Sequence, residues 1–168
     1  MRIYINGFMG SGKSYWGKKW AIENGLCFYD LDELIEENEQ LPIELIFEKK
    51  GELYFRQKES AFLRSTEDYE NCIIACGGGT PCYDDNMEWM NAHGLTIWIE
   101  ASPAQLFENM INETDKRPLL KNLDQAGIVN FIEQKLKERN EFYKKAKVHL
   151  YFNDLNAKSM ENIIQIKK

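Results

Sequence analysis

The stretch GFMGSGKS, from Gly7 to Ser14, decides the fold of this chain. It follows a short apolar run, Ile3 to Ile5, that predicts a strand, and it leads into a helical pattern with Trp16, Trp20 and Ala21 on one side. A strand, the pattern G-x-x-x-x-G-K-[ST] and a helix in this order are typical of a phosphate-binding loop. The alternative, a Gly/Ser turn before an amphipathic helix, is disfavoured by that context. The chain is therefore expected to bind a nucleoside triphosphate.

The residues of this loop have separate expected tasks. Gly10, Ser11 and Gly12 belong to the curl whose backbone N–H groups point inward at an anion, and the helix N-terminus adds partial positive charge. Lys13 is expected to reach the β- and γ-phosphates, and the Ser14 hydroxyl is expected to bind Mg²⁺.

Length and charge narrow the class of protein. A chain of 168 residues is expected to form one domain, residues 1–168, without needing disulfides. Its formal charge of −6, from 21 basic and 27 acidic residues, disfavours broad nucleic-acid binding. No apolar run approaches the roughly 20 residues that span a bilayer. The start MRIYINGF runs directly into the loop, so no signal peptide is expected, and we predict a cytoplasmic protein that does not bind membranes.

Four cysteines raise the question of a metal site. They lack the spacing of metal ligands, and the two histidines lie far from them in sequence. We interpret them as structural or incidental thiols in a reducing compartment. The residues are Cys27, Cys72, Cys76 and Cys82.

Short apolar runs alternate with helical patterns along the chain. This alternation predicts an α/β fold in three α/β/α layers, with a five-stranded parallel sheet covered on both faces. Ligands of such sheets bind at the carboxyl ends of the strands. The predicted strands are Ile3–Ile5, Cys27–Tyr29, Cys72–Ala75, Thr96–Ile99 and Val148–Phe152.

Two intervals exceed what a simple crossover requires. Residues 31–71 contain two or three helical patterns, which are interrupted at Pro42 and Gly51. They predict a helical insert at the sheet edge. Residues 112–124, NETDKRPLLKNLD, are charged and contain Arg117 before Pro118. A helix is expected to end there, because a residue before proline avoids the α region. This segment is a candidate mobile lid.

Two aspartates follow the second predicted strand. Asp30 and Asp32 are two residues apart, so their side chains can share a face. Beside a nucleotide, one carboxylate can hold Mg²⁺ and the other can orient and deprotonate an attacking hydroxyl. The alternative is that both cap the helix that begins near Glu33.

Three further features suggest an anionic acceptor. On a helix, Arg56 lies one turn from Glu52 and Glu59, although a surface salt-bridge ladder is the alternative. Three glycines, Gly77 to Gly79, follow the third strand and permit close approach by a ligand, or they form a turn. Arg139 lies on the inward-facing side of a predicted helix, IEQKLKERNEFYKKA, near the end of the sequence. There its guanidinium group needs an anionic partner unless this group is exposed to solvent.

In their order and spacing, these segments resemble shikimate kinases from the phosphate loop to the last helix. The matching segments are GFMGSGKS, FYDLDELIE, GELYFRQKE, CGGGT, KRPLL and KERNEFYKKA. The resemblance implies transfer of a phosphoryl group from ATP, with Mg²⁺, to the 3-hydroxyl of shikimate. It also implies a shikimate-binding insert at about residues 31–62, a lid at about residues 112–124, and an expected monomer.

The resemblance also implies a role for each matching residue. The acceptor would be bound by Asp32, which acts as base or orienting group, by Arg56 and Arg139 on its carboxylate, and by the backbone of Gly77, Gly78 and Gly79. The phosphates would be bound by Lys13 and by Arg117 of the lid. The metal would be held by Ser14, with Asp30 acting through water.

Three departures from the family pattern affect the expected affinity for ATP. Cys76 stands where a hydroxyl-bearing residue is usual, which predicts a looser surrounding of Mg²⁺. The helix before the lid reads Asn109, Met110 and Ile111 in place of an adenine-stacking Arg, and packing by Met110 is a possible substitute. The adenine loop would be the atypical segment FNDLNAKS.

Two other functions fit parts of the pattern. A P-loop kinase for another small hydroxylated acid, such as gluconate, would also need a carboxylate clamp. A weakly catalytic nucleotide-binding protein that regulates a partner would not need the clamp formed by Arg56 and Arg139.

Overall fold

The computed structural model describes residues 1–111 and 123–165, and its centre is a five-stranded parallel sheet in the order β2-β3-β1-β4-β5. The five predicted strands are all present, with ends that differ by no more than one residue. The prediction of a three-layer α/β fold is thereby confirmed. The strands are β1 (Arg2–Asn6), β2 (Cys27–Asp30), β3 (Cys72–Ala75), β4 (Leu95–Glu100) and β5 (Val148–Tyr151).

Helices connect the strands and cover both faces of the sheet. The predicted insert at residues 31–62 corresponds to two helices, the second of which is kinked at Gly51, where φ is 84°. In the part of the chain that the structure describes, no helix is long and apolar enough to cross a bilayer. The helices are α1 (Lys13–Asn24), α2 (Leu31–Glu39), α3 (Ile43–Ser65), α4 (Asn86–His93), α5 (Pro103–Ile111), α6 (Gln125–Tyr143) and α7 (Ser159–Gln165).

Alternate residues of each central strand enter two separate apolar cores. Ile5 and Ile73 point to the side of α1, where Trp20 is fully buried against them. Tyr4 and Ile74 point to the opposite side, which α2, α3, α4 and α6 cover. Burial on both faces requires apolar residues at successive strand positions, and this explains why the strands could be found in the sequence.

A third apolar cluster fixes the phosphate loop to α5 and α6. Phe8 of the loop and Met110 of α5 are buried in it together with residues of α6. A methyl group at Gly10 would lie 2.7 Å from the Met110 Cγ atom. Met110 is therefore buried against the phosphate loop. The predicted packing of its side chain on adenine is wrong for this structure, because the side chain is not exposed to a ligand.

The predicted lid falls mainly on residues that the structure does not describe. Arg117 lies outside the described residues, so the lid and its arginine remain predictions. At the far end of this segment, Asp124 caps α6, because its side chain accepts a hydrogen bond of 2.7 Å from the Gly127 N–H.

Candidate active site

A cavity of about 670 Å³ opens at the carboxyl ends of the central strands. Its wall includes most of the residues predicted to bind nucleotide and metal, and it reaches Asp32 and the first two glycines after β3. Ser11, Gly79, Arg56 and Arg139 are not part of this wall. The lining residues are Met9, Gly10, Gly12, Lys13, Ser14, Tyr15, Asp30, Asp32, Cys76, Gly77, Gly78, Glu108 and Asn109.

The phosphate loop adopts the curl that its sequence predicts. Gly10 and Gly12 have φ angles of 79° and 83°, which glycine adopts without the strain that a Cβ would bring. The Ser11 N–H donates to the Phe8 carbonyl at 3.1 Å, and the Lys13 Nζ donates to the same oxygen at 2.9 Å. Lys13 thus bends back over the loop, on the side of the cavity.

Ser14 and Asp30 lie together at the cavity wall. The Ser14 hydroxyl donates to the Asp30 Oδ2 atom at 2.5 Å, and the Asp30 Oδ1 atom accepts from the Asp32 N–H at 3.1 Å. Asp30 therefore does cap α2, as the alternative interpretation has it, while its second oxygen faces Ser14. Asp32 is not the cap. Its carboxylate turns towards Gly77, where an added methyl group would lie 2.9 Å from the Oδ1 atom.

The environment of Asp32 raises the pKa of its carboxyl to about 7. Desolvation is the largest cause, and the negative charges of Asp30 and Glu59 act in the same direction, while Lys13 opposes them. A carboxyl group with a pKa near neutrality is suited to accept a proton from a substrate hydroxyl at physiological pH.

The raised pKa predicts that Asp32→Asn stabilises the metal-free protein at alkaline pH. The folded state binds a proton at Asp32 more tightly than the unfolded state, whose pKa is near 3.8, so this carboxylate costs stability increasingly as pH rises towards 7. In EDTA at pH 8, the unfolding midpoint of the variant should rise by at least about 2 °C, since 1 kcal/mol corresponds to roughly 2–4 °C. At pH 4 the two midpoints should agree. An equal shift at both pH values would contradict the assigned cause.

Each glycine of the triplet lies against a different charged group. A methyl group at Gly77 would lie 2.8 Å from the Glu59 Oε1 atom, one at Gly79 would lie 2.7 Å from the Arg56 Nη1 atom, and one at Gly78 would lie 3.4 Å from the Arg139 Nη1 atom. Three consecutive residues without side chains therefore bring two arginines and two carboxylates around one backbone segment.

Arg56 is held by two carboxylates of its own helix, as its spacing predicts. The Nη1 atom donates to Glu59 at 2.8 Å, and the side chains of Arg56 and Glu59 are only 11% and 1% exposed. Thr80 donates to the other Glu59 oxygen at 2.5 Å. The Tyr83 ring lies 4.3 Å from the guanidinium carbon of Arg56. The pair of Arg56 and Glu59 is too buried for the surface salt-bridge ladder considered as the alternative, whereas Glu52, the second carboxylate on Arg56, is 56% exposed.

Arg139 reaches the same backbone segment from α6. Its guanidinium carbon lies 5.5 Å from the centre of the Phe8 ring. The fully buried Tyr143, one turn later, donates to the Gly78 carbonyl and fixes α6 to the triplet. Burial raises the pKa of the nearby Cys82 thiol to about 11, although the positive charges of Arg139 and Arg56 both act to lower it.

The departures at Cys76 and Asn109 have different structural consequences. Cys76 is buried, and burial raises its pKa well above the ordinary value, so the thiol stays neutral. It points to the Met90 sulfur at 3.6 Å. Asn109 donates to the Gly10 carbonyl at 2.8 Å and so braces the phosphate loop. Within residues 1–111 and 123–165, no cluster of three or more His, Cys, Asp or Glu side chains is placed to hold a metal ion.

Several contributors to this site were missed in the sequence. Thr80 contacts Glu59 and Tyr83 contacts Arg56, and no spacing pattern in the sequence indicates these contacts. Tyr143, whose spacing places it on the same face of α6 as Arg139, contacts the glycine triplet. The signal that could have found Thr80 and Tyr83 is their position directly after the three glycines, in a loop at the carboxyl end of β3.

A phosphate loop after the first strand of a five-stranded parallel sheet, with acidic side chains after β2, the next strand along the chain, is the arrangement of a P-loop kinase. The sequence model of the shikimate kinase family matches residues 9–167 of this chain. The chain belongs to the shikimate kinase family, and it is a kinase.

Individual shikimate kinases are similar to this chain along most of their length. A shikimate kinase of Phocaeicola vulgatus is 40% identical over 153 residues, which are 91% of this chain and 87% of that protein. The crystal structure of shikimate kinase from Bacteroides thetaiotaomicron is 32% identical, with a TM-score of 0.94 over 98% of each chain. The Acinetobacter baumannii enzyme, solved in complex with shikimate, is 27% identical, with a TM-score of 0.87 over 99% of this chain and 92% of that one.

Proposed function

We propose that this chain transfers the γ-phosphoryl group of ATP to the 3-hydroxyl of shikimate, giving shikimate 3-phosphate and ADP. The observation that carries the proposal is the arrangement of Asp32, Arg56 and Arg139 around the glycine triplet, beside a phosphate loop. One carboxylate and two arginines match an acceptor that has hydroxyl groups and a single carboxylate. The shikimate complex of the Acinetobacter baumannii relative supports this choice of acceptor.

On the acceptor side, Arg56 and Arg139 bind the substrate carboxylate. Charge-assisted hydrogen bonds from guanidinium groups are strong and can be bidentate, so they fix the orientation of the ring. The backbone of Gly77, Gly78 and Gly79 supports that ring, because no side chain intervenes. Asp32 then accepts a hydrogen bond from the 3-hydroxyl and takes its proton as the bond to phosphorus forms.

On the nucleotide side, the phosphate loop binds the transferring group. The N–H groups around Gly10, Ser11 and Gly12 and the N-terminus of α1 bind phosphate oxygens, and Lys13 offsets the charge that develops during transfer. Arg117, outside the described residues, is assigned the same task from the lid by resemblance to the family. Closure over the site would exclude water, which competes as an acceptor.

The residues at the cavity wall fit a magnesium ion bound together with the nucleotide. Ser14 and Asp30 offer neighbouring oxygen atoms, which Mg²⁺ prefers, and few protein ligands suffice when phosphate oxygens and water complete the shell. Ser14 would bind the ion directly, and Asp30 would bind through water. The ion supplies positive charge beside the phosphates.

The test is ADP release with Mg-ATP, measured with shikimate, with gluconate and without an acceptor. We expect release that requires shikimate and ignores gluconate, and a product whose phosphate NMR identifies the 3-position. Release with gluconate would favour a kinase of another hydroxylated acid. ATP binding without acceptor-dependent release would mean that the chain keeps the nucleotide site but has lost the transfer activity.

A further inference from the structure

The exposed side of Arg56 is already occupied by a carboxylate of the chain itself. The Glu52 Oε1 atom accepts hydrogen bonds from the Arg56 Nε atom at 3.3 Å and from its Nη2 atom at 3.2 Å. The same oxygen accepts from the Tyr83 hydroxyl at 3.1 Å. These two nitrogens form one edge of the guanidinium fork, which is an edge that can bind a carboxylate with two parallel hydrogen bonds.

The two carboxylates on Arg56 differ in how easily they can be replaced. Glu59 is buried, lies 2.8 Å from the guanidinium and is also held by Thr80. The Glu52 side chain is 56% exposed, and one of its oxygens serves both nitrogens at distances above 3.1 Å. Exposed ion pairs of this kind contribute little, whereas breaking a buried pair is costly. Only the Glu52 contact can exchange with an incoming anion at small cost.

Glu52 is nevertheless charged and directed at Arg56. Desolvation acts to raise the pKa of its carboxyl, but hydrogen bonds from Tyr83 and Arg56 outweigh it, so the pKa lies below its ordinary value. The ring of Tyr83 lies over the guanidinium, and its hydroxyl holds Glu52 on the fork. Tyr83 thus fixes both partners of the contact.

We propose that Glu52 is a resident stand-in for the substrate carboxylate, which occupies the Nε and Nη2 edge of Arg56 until an acceptor displaces it. The inference rests on the proposed function, in which Arg56 binds the carboxylate of the acceptor. While no acceptor is bound, Glu52 balances the positive charge of the Arg56 guanidinium and holds this group in its orientation. An anionic acceptor must displace Glu52 to reach this edge, whereas a neutral analogue leaves Glu52 in place and gains nothing from Arg56. Glu52 therefore lowers the affinity for an anionic acceptor and hardly affects the affinity for a neutral one.

The test compares Glu52→Gln with the native enzyme in steady-state kinetics. Because an exposed ion pair accounts for a small free energy, the KM for shikimate should fall by about twofold to fivefold, with kcat and the KM for Mg-ATP unchanged. Tyr83→Phe, which keeps the ring but removes the hydroxyl, should shift the KM in the same direction by a smaller factor. Glu48→Gln removes the same charge from an exposed position of α3 and should leave the KM unchanged.

The methyl ester of shikimate distinguishes displacement from a general change of charge. It lacks the carboxylate, so Glu52→Gln should not improve its KM. A KM for shikimate that rises or stays constant in Glu52→Gln, with a normal unfolding midpoint, would overturn the proposal and make Glu52 a support for Arg56. Native enzyme that neither phosphorylates nor binds shikimate would refute the proposed function itself, and the stand-in role with it.

Discussion

Replacing Asp32 with Asn should lower kcat by roughly 10²–10⁴-fold, the range expected when a general base is lost. The amide keeps the size of the side chain but cannot accept the proton of the attacking hydroxyl. The pKa of about 7, set by desolvation and by the charges of Asp30 and Glu59, indicates a group that exchanges protons near physiological pH. Shikimate should still bind, since Arg56 and Arg139 are untouched. The measurements are kcat under saturating Mg-ATP and shikimate affinity by calorimetry.

The control for Asp32→Asn is Glu33→Gln, the neighbouring exposed carboxylate of α2. It removes one negative charge from the same turn and should leave kcat within about twofold, as expected for a screened surface charge. A near-normal kcat in Asp32→Asn, with shikimate binding intact, would contradict the role of base. Asp32 would then only position the hydroxyl, which is compatible with a loose phosphoryl-transfer transition state that needs little deprotonation.

The sequence alone predicts those features of the fold and the site that lie within one secondary-structure element. The strands could be predicted because burial on both faces makes them continuously apolar, and the phosphate loop because its glycines must curl within a few residues. The pairing of Arg56 with Glu52 and Glu59 follows from the helical period alone. Each of these inferences needs only the spacing of neighbouring residues.

The details of the site could not be predicted because they depend on contacts between distant segments. Thr80 meets Glu59 across 21 positions, and Tyr143 meets the Gly78 carbonyl across 65. The glycine triplet was correctly expected to permit close approach, but the sequence could not show that charged side chains of α2, α3 and α6 lie against it. Met110 was misjudged for the same reason, since only the packing of α5 under the loop shows that it is buried.

Replacing Arg56 alone should lower the stability of the protein strongly, whereas replacing Arg56 and its buried partner Glu59 together should not. Arg56→Met leaves the Glu59 carboxylate buried with Thr80 as its remaining partner, and breaking such a pair costs about 3–5 kcal/mol. The unfolding midpoint should fall by roughly 6–20 °C, given about 2–4 °C per kcal/mol in a chain of this size. Calorimetry or far-UV circular dichroism on heating measures this loss.

The double variant Arg56→Met/Glu59→Leu separates the structural role of Arg56 from its binding role. Apolar residues in place of a buried ion pair are often neutral or stabilising, so the unfolding midpoint should return to within a few degrees of the native value. Shikimate affinity should nevertheless stay well below that of the native protein, because the substrate carboxylate has lost one of its two arginines. Lys49→Met, an exposed cation of the same helix, should change neither property. If the double variant regained both stability and shikimate affinity, Arg56 would be a structural partner of Glu59, and the acceptor carboxylate would depend on Arg139 alone.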